Sequence, residues 1–342
     1  MPSRIGLMGL GRVGRNIFRL LYNQDDLQLV AINDPADHAG LAYLLRFDTL
    51  LGRFPAELRL EDGGGLQVAG RQVQMLSGKQ PGDVDWAALG VDTVIEATEG
   101  HRTRAELERH LEKGAKRVIL CSPAADALDA TVVMGLNDGD LRPEHRIVSA
   151  SSDTANAAAP ALAILQEAFG VQRGFVTTVH AYTNQQRLAD VPADDPRRGR
   201  AAAENIIPQE TDAAKELEGL LTGLQGKLTG MSMNVPVANG SVVDLVCWHD
   251  KPVTVDSLNE AFRTAAASDR WKGLLEYVAD PIVSSDILLS TYSGTYDSLA
   301  TMVLGEKVSK TLVWFNNGWS YAHRVVDLLR RFERLNSSKE AA

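Results

Sequence analysis

Three glycines at the spacing G-x-G-x-x-G, in Gly9-Leu10-Gly11-Arg12-Val13-Gly14, are the residues whose chemistry is easiest to read. They follow an apolar run and open a segment of helical period, which places them at a strand-to-helix turn. Glycine permits a tight turn and close backbone approach there, and the first N–H groups of the helix face whatever lies in front of them. A pyrophosphate suits that place. An acidic residue is then expected about 20 positions on, at the end of the second strand. Asp34, in Ala31-Ile32-Asn33-Asp34-Pro35, meets that expectation. Its carboxylate accepts hydrogen bonds from ribose hydroxyls and repels a 2′-phosphate, which predicts NAD rather than NADP as cofactor. The competing reading is structural: a glycine turn with Asp34 as its cap.

Few other residues offer chemistry by type alone. The two cysteines, Cys121 and Cys247, both lie in apolar stretches. That excludes a disulfide framework and suits a reducing cytoplasm. Arg197-Arg198-Gly199-Arg200 is the one basic cluster and reads as a salt-bridged or small-anion-binding loop. A formal net charge of −9 over 342 residues gives no general reason to bind nucleic acid or an anionic membrane. No run approaches the ~20 apolar residues of a membrane span, and the N-terminus lacks a signal-peptide pattern. No metal site is expected.

The elements that must hold these residues alternate in the first half. Residues 4–10, 27–32, 93–97 and 117–121 read as strands, with helices over 12–22 and 104–113. That order gives parallel strands with right-handed crossovers. Gly63-Gly64-Gly65 reads as a turn between two strand-like pieces. After an alanine-rich helix over 155–168, alternating strands over 174–182, 231–237, 241–249 and 310–315 predict a largely antiparallel sheet. An amphipathic helix over 321–335 closes the chain before a short alanine- and serine-containing tail. The expected fold class is α/β: a Rossmann NAD-binding domain over residues 1–152, completed by a C-terminal helix over 320–336, and an α+β catalytic domain with a mainly antiparallel sheet over 153–319.

Together the segments GLGRVGRN, HRIVSASSDTAN, TTVHAYTNQQR, RRGRAAAENIIP, GMSMNVPVANGSVVDL and WFNNGWSYAHRVVDL are similar to those of the glyceraldehyde-3-phosphate dehydrogenase family. The resemblance runs over about residues 4 to 336 and is strongest to the branch that includes erythrose-4-phosphate dehydrogenases. It implies a homotetramer in the cytoplasm, with NAD held by Gly9, Gly11, Arg12, Val13, Gly14, Asp34, Thr98, Ser122 and Asn317. Asn317 would hold the nicotinamide carboxamide, a task that needs both a donor and an acceptor. Where the family usually has glycine after the threonine, this chain has Glu99, a carboxylate set to crowd or repel the cofactor.

The family's reaction begins with a cysteine thiolate attacking an aldehyde, and its motif runs Ser-Asn-Ala-Ser-Cys-Thr-Thr-Asn. Here the segment is Ser149-Ala150-Ser151-Ser152-Asp153-Thr154-Ala155-Asn156, with Asp153 at the nucleophile's place. A carboxylate is a weak nucleophile and forms no thioester. Neighbouring Ser152 lacks the strong base that would activate it. His180, in Thr178-Val179-His180-Ala181-Tyr182, matches the histidine that activates the cysteine and is expected to pair with Asp153.

Substrate contacts implied by the resemblance are Ser152, Thr154, Thr183, one of Arg197 or Arg198, Thr211, Asp212 and Asn234. Asp212 replaces a glycine, Asn234 an arginine and Gln185 an aspartate, so the pocket is remodelled for something other than two phosphates. Three functions follow. The first is an NAD-dependent oxidoreductase on a small aldehyde or polyol, with Asp153 and His180 as a proton relay. The second is a catalytically silent NAD-binding sensor, scaffold or partner subunit. The third is ordinary glyceraldehyde-3-phosphate or erythrose-4-phosphate dehydrogenase activity, which the missing nucleophile opposes.

Overall fold

A computed structural model describes residues 2–340, so the final two residues of the tail lie outside the described residues. The chain divides into two compact units, Met1–Ser152 with Ala322–Ala342, and Asp153–Tyr321.

In chain order the first unit holds β1 (Ser3–Met8), α1 (Arg12–Leu21), β2 (Leu27–Asn33), α2 (His38–Arg46), β3 (Phe47–Asp48), β4 (Gly52–Arg53), β5 (Leu58–Leu60), β6 (Gly65–Val68) and β7 (Arg71–Leu76). It continues through β8 (Thr93–Glu96), α3 (Arg104–Glu112), β9 (Arg117–Leu120), β10 (Ala130–Thr131) and β11 (Ile147–Ser149). Nine of these strands form one sheet in the order β10-β11-β9-β8-β1-β2-β7-β6-β5, parallel from β10 to β7. The glycine run at 63–65 turns β5 antiparallel onto β6, with Glu61 N–H bonded to the Gly65 carbonyl at 2.8 Å.

All four residues of β8 are buried, as expected for a central parallel strand covered on both faces. The order reverses at β1, whose neighbours β2 and β8 carry the chain to opposite halves of the sheet. Parallel sheets open a crevice at such a switch point, at the carboxyl ends of the strands. Gly9 begins there.

The last helix, α7 (Trp319–Glu340), gives this unit a buried stripe of Val325, Leu328, Leu329 and Phe332 at helical spacing. Its polar side is tied down by Arg330 Nε to Asp26 at 3.0 Å, and by the Ser3 hydroxyl donating to Glu333 at 3.0 Å.

The second unit begins with α4 (Asp153–Phe169), followed by β12 (Val171–Ala181), β13 (Ile207–Gln209), α5 (Ala213–Leu220), β14 (Leu228–Val235) and β15 (Ser241–His249). It ends with α6 (Val255–Ala267), β16 (Leu275–Val278), β17 (Gly294–Leu304) and β18 (Val308–Phe315). Its seven-stranded sheet has the order β13-β14-β12-β15-β18-β17-β16. Pairing is mainly antiparallel, as expected, but β12–β14 and β16–β17 are parallel. The alanine-rich α4 is buried nearly all round and packs on α5, α6 and the strands β15, β17 and β18.

Candidate functional site

The glycine turn divides its labour by position. Gly9 has φ +92°, and a Cβ there would lie 2.8 Å from Thr98 Cγ2. At Gly14 an added Cβ would sit 2.1 Å from the Gly9 carbonyl oxygen, so this glycine lets α1 close onto β1. Gly11 differs: nothing lies within 4 Å of its would-be Cβ, and that open side is where a ligand's backbone approach needs room. Gly11 is also the N-cap of α1 and supplies no side-chain oxygen, leaving the free N–H groups of Arg12, Val13 and Gly14 to face an anion.

Asp34 holds the same turn from the neighbouring strand. One carboxylate oxygen accepts the Leu10 N–H at 2.8 Å and the other the Ala36 N–H at 2.9 Å. The turn-capping role and the ribose-binding role are therefore compatible, because each oxygen keeps a further acceptor site. Across the switch point, Thr98 follows β8, with both its N–H and its hydroxyl donating to Glu96. Ser149 donates to the Ser122 carbonyl at 2.6 Å. Arg12 Nη1 and Ser122 Oγ are among the buried polar atoms of this unit that have no hydrogen-bond partner among the described residues. Orphaned donors beside a glycine cradle fit a dinucleotide.

In the second unit, Asp153 is the first residue of α4, where the helix dipole favours a negative charge. The chain enters that helix through Ser151, which is fully buried with φ +62°, a strained conformation for a residue with a Cβ. Asp153 Oδ1 accepts its neighbour Thr154 N–H at 2.7 Å, and Oδ2 lies 3.5 Å from His180 Nε2. His180 projects from β12, with Nδ1 2.7 Å from its neighbour's carbonyl, Ala181 O. A carbonyl only accepts, so Nδ1 carries a proton and Nε2 is the nitrogen offered to Asp153. The Phe315 ring stands edge-on to the imidazole, centroids 5.9 Å apart. In register beside His180 on β14 is Asn234, which is buried and neutral.

Other expected contacts have local partners. Thr183 receives the N–H of Gln185, while its own N–H and hydroxyl both donate to Gln186. Thr211 accepts the Ala213 N–H at 3.1 Å, and Asp212 makes no side-chain cap on α5. Arg197 and Arg198 lie in an exposed loop against Asp195. Asn317 Oδ1 is buried with no partner among the described residues, which fits an amide donor arriving from a ligand. Burial pushes the Cys247 thiol up to about 12 and the Cys121 thiol well above its ordinary value, with the Glu96 charge adding to the latter. Neither has the exposed, electropositive surroundings of a reactive thiol.

Sequence reasoning missed Glu96, His110 and Trp86, which bond to one another and to Thr98. The available signal was a glutamate ending an otherwise apolar buried strand. Among the described residues, no group of three or more His, Cys, Asp or Glu is placed to hold a metal ion, and no helix is long and apolar enough to cross a membrane.

Residues 3–104 match the family model described as glyceraldehyde 3-phosphate dehydrogenase, NAD binding domain, and residues 152–317 match that of the C-terminal domain. The chain is 47% identical over 331 residues to the glyceraldehyde-3-phosphate dehydrogenase of Streptomyces coelicolor, covering 96% of this chain and 98% of that one. It is 45% identical to the Geobacillus stearothermophilus enzyme of the same name, covering 96% and 97%, and 43% identical to that of Mycobacterium leprae, covering 96% and 98%. The dinucleotide cradle and agreement along nearly the whole length lead to one conclusion: this chain belongs to the glyceraldehyde-3-phosphate dehydrogenase family, with NAD as its cofactor.

Proposed function

We propose that this protein is an NAD-dependent oxidoreductase acting on a small aldehyde or polyol without a covalent thioester. The observation that carries the reading is the Asp153–His180 pair, 3.5 Å apart at the start of α4, where a sulfur nucleophile would be needed for acyl transfer. Bound NAD supplies the hydride acceptor or donor. With Nδ1 held by the Ala181 carbonyl, His180 Nε2 takes the proton of a substrate hydroxyl in oxidation, or returns it in reduction. Asp153 Oδ2 balances the imidazolium that results. Asn234, neutral and in register with His180, orients a hydroxyl or carbonyl rather than a phosphate.

Gly9, Gly11, Arg12, Val13, Gly14, Asp34, Thr98, Ser122 and Asn317 are assigned to the cofactor; Ser152, Thr154, Thr183, Arg197 or Arg198, Thr211 and Asp212 remain candidates for the substrate. The test is NADH formation or consumption across sugar aldehydes and polyols, with Asp153→Asn and His180→Gln as controls. Acyl phosphate made from glyceraldehyde 3-phosphate and inorganic phosphate at rates typical of the family would sink it.

Ordinary glyceraldehyde-3-phosphate dehydrogenase activity is the second reading. The names of the relatives favour it over ours, because every one quoted carries that activity and none a different one. Tight NAD binding with no turnover on any of these compounds would instead favour a silent sensor or scaffold. We assign the protein to the cytoplasm as a homotetramer. Assembly is supported by one sheet face on which Phe175, Met231 and Met302 share register parity and are exposed.

A further inference from the structure

Behind the cofactor turn, in the first unit, lies a chain of polar groups sealed from solvent. Trp86, His110 and Glu96 are all 0% exposed. The Trp86 indole N–H donates to His110 Nδ1 at 3.0 Å. An indole nitrogen can only donate, so Nδ1 must accept and the imidazole proton sits on Nε2. That Nε2–H donates to Glu96 Oε2 at 3.1 Å. The other carboxylate oxygen accepts two donors from one residue, the Thr98 N–H at 2.8 Å and the Thr98 hydroxyl. Direction is thus fixed from end to end: indole to imidazole, imidazole to carboxylate, with Thr98 closing on the far oxygen.

We propose that Trp86, His110 and Glu96 are positioning residues that set Thr98 at the cofactor site, an inference that rests on reading Thr98 as a cofactor contact. Two consequences of the geometry support it. Thr98 packs on the first fingerprint glycine so closely that a Cβ at Gly9 would lie 2.9 Å from the Thr98 nitrogen. Holding Thr98 therefore also holds the turn. Moreover, the Thr98 hydroxyl spends its proton on Glu96, so towards a ligand its oxygen only accepts, a role that a ribose hydroxyl can meet by donating.

The polarity of the chain supplies the test. Glu96→Gln substitutes an amide whose N–H groups must face either the Thr98 donors or His110 Nε2–H. His110 can accept from the amide only by moving its proton to Nδ1, against the Trp86 N–H. Trp86→Phe keeps an aromatic ring while removing that N–H and part of the buried indole. NAD affinity is measured by calorimetry on the intact protein, with thermal unfolding recorded in parallel. Glu96→Gln should weaken NAD by about tenfold, the cost of one mismatched buried hydrogen bond, and Trp86→Phe by less. The double variant should bind more tightly than Glu96→Gln alone, because the clash is relieved.

In a Thr98→Ala background each substitution should cost less NAD affinity than in the native protein, because only the backbone N–H of residue 98 is left for Glu96 to hold, although both still lower the unfolding temperature fully. That separates positioning from mere stability. Equal losses of affinity with and without Thr98, or strictly additive losses in the double variant, would overturn the proposal. Should Glu96→Gln fail to fold, the milder Trp86→Phe compared in the two backgrounds decides the question. If Thr98→Ala itself leaves NAD binding untouched, the assignment of Thr98 falls and takes the proposal with it. If Thr98→Ala weakens binding while Trp86→Phe and Glu96→Gln do not, only the positioning chain is refuted.

Discussion

At residue 153 a helix N-terminus favours a negative charge and His180 Nε2 is placed to take a proton, surroundings that would activate a thiol placed there. Asp153→Cys should therefore create a reactive cysteine in a protein whose own thiols are held protonated by burial. Iodoacetamide at neutral pH is expected to label residue 153 at least about tenfold faster than Cys121 or Cys247, read by mass spectrometry of peptides. Equal labelling would mean the site does not activate a nucleophile. At Asp34, removal of the carboxylate by Asp34→Ala loses the bond to Leu10 N–H along with any contact to a ribose. NAD affinity should fall by about tenfold while discrimination against NADP narrows, as titration with each nucleotide would show. The place of Asp34 beside the glycine turn was legible because its spacing from the glycines follows from strand and helix lengths. Glu96 was not, since its importance lies in partners 14 and 2 residues away that only the folded sheet brings to it.

Single elements carry their own tests. In α1, Gly14→Ala would press a methyl into the Gly9 carbonyl, so the helix must shift. A loss of roughly 1–3 kcal/mol in denaturant unfolding is expected, with weaker NAD binding. In α3 the Thr103 hydroxyl and backbone N–H hold the Glu106 carboxyl at about 2, below its ordinary 4.5. Its folded value is depressed, so the stabilisation is complete above 4.5 and is lost as pH falls towards 2. Glu106→Gln should cost less than ~1 kcal/mol at neutral pH, because the group is solvent-screened, and the gap to the native protein should close across that acid window. Elements with a clean period were readable: β15 spans 241–249 as its alternation predicts. The strand β17 escaped because a register irregularity between Asp297 and Met302 breaks its alternation. The start of α4 was placed late since Asp153 and Thr154 look like a cap rather than a first turn.

At the scale of the whole chain, the fold class and the existence of a cofactor-binding half were readable from order alone, strand and helix alternating before longer strands. Two features were not: the parallel β12–β14 pair, which sets Asn234 beside His180, and the approach of Asp153 at the start of α4 to that histidine. Both depend on which elements become neighbours across tens of residues, and local pattern says nothing of that. Light scattering should report four copies per particle, and charging the exposed sheet face with Met302→Glu should dissociate them; a monomeric native protein would remove that assignment. The first unit is discontinuous, drawing on residues 322–342 to accompany 1–152. During synthesis the nascent Rossmann half must therefore wait for the final helix, with Asp26 and Ser3 awaiting Arg330 and Glu333. Ribosomes stalled before residue 322 would hold a half that has not yet closed, open to chaperones and proteases until translation ends.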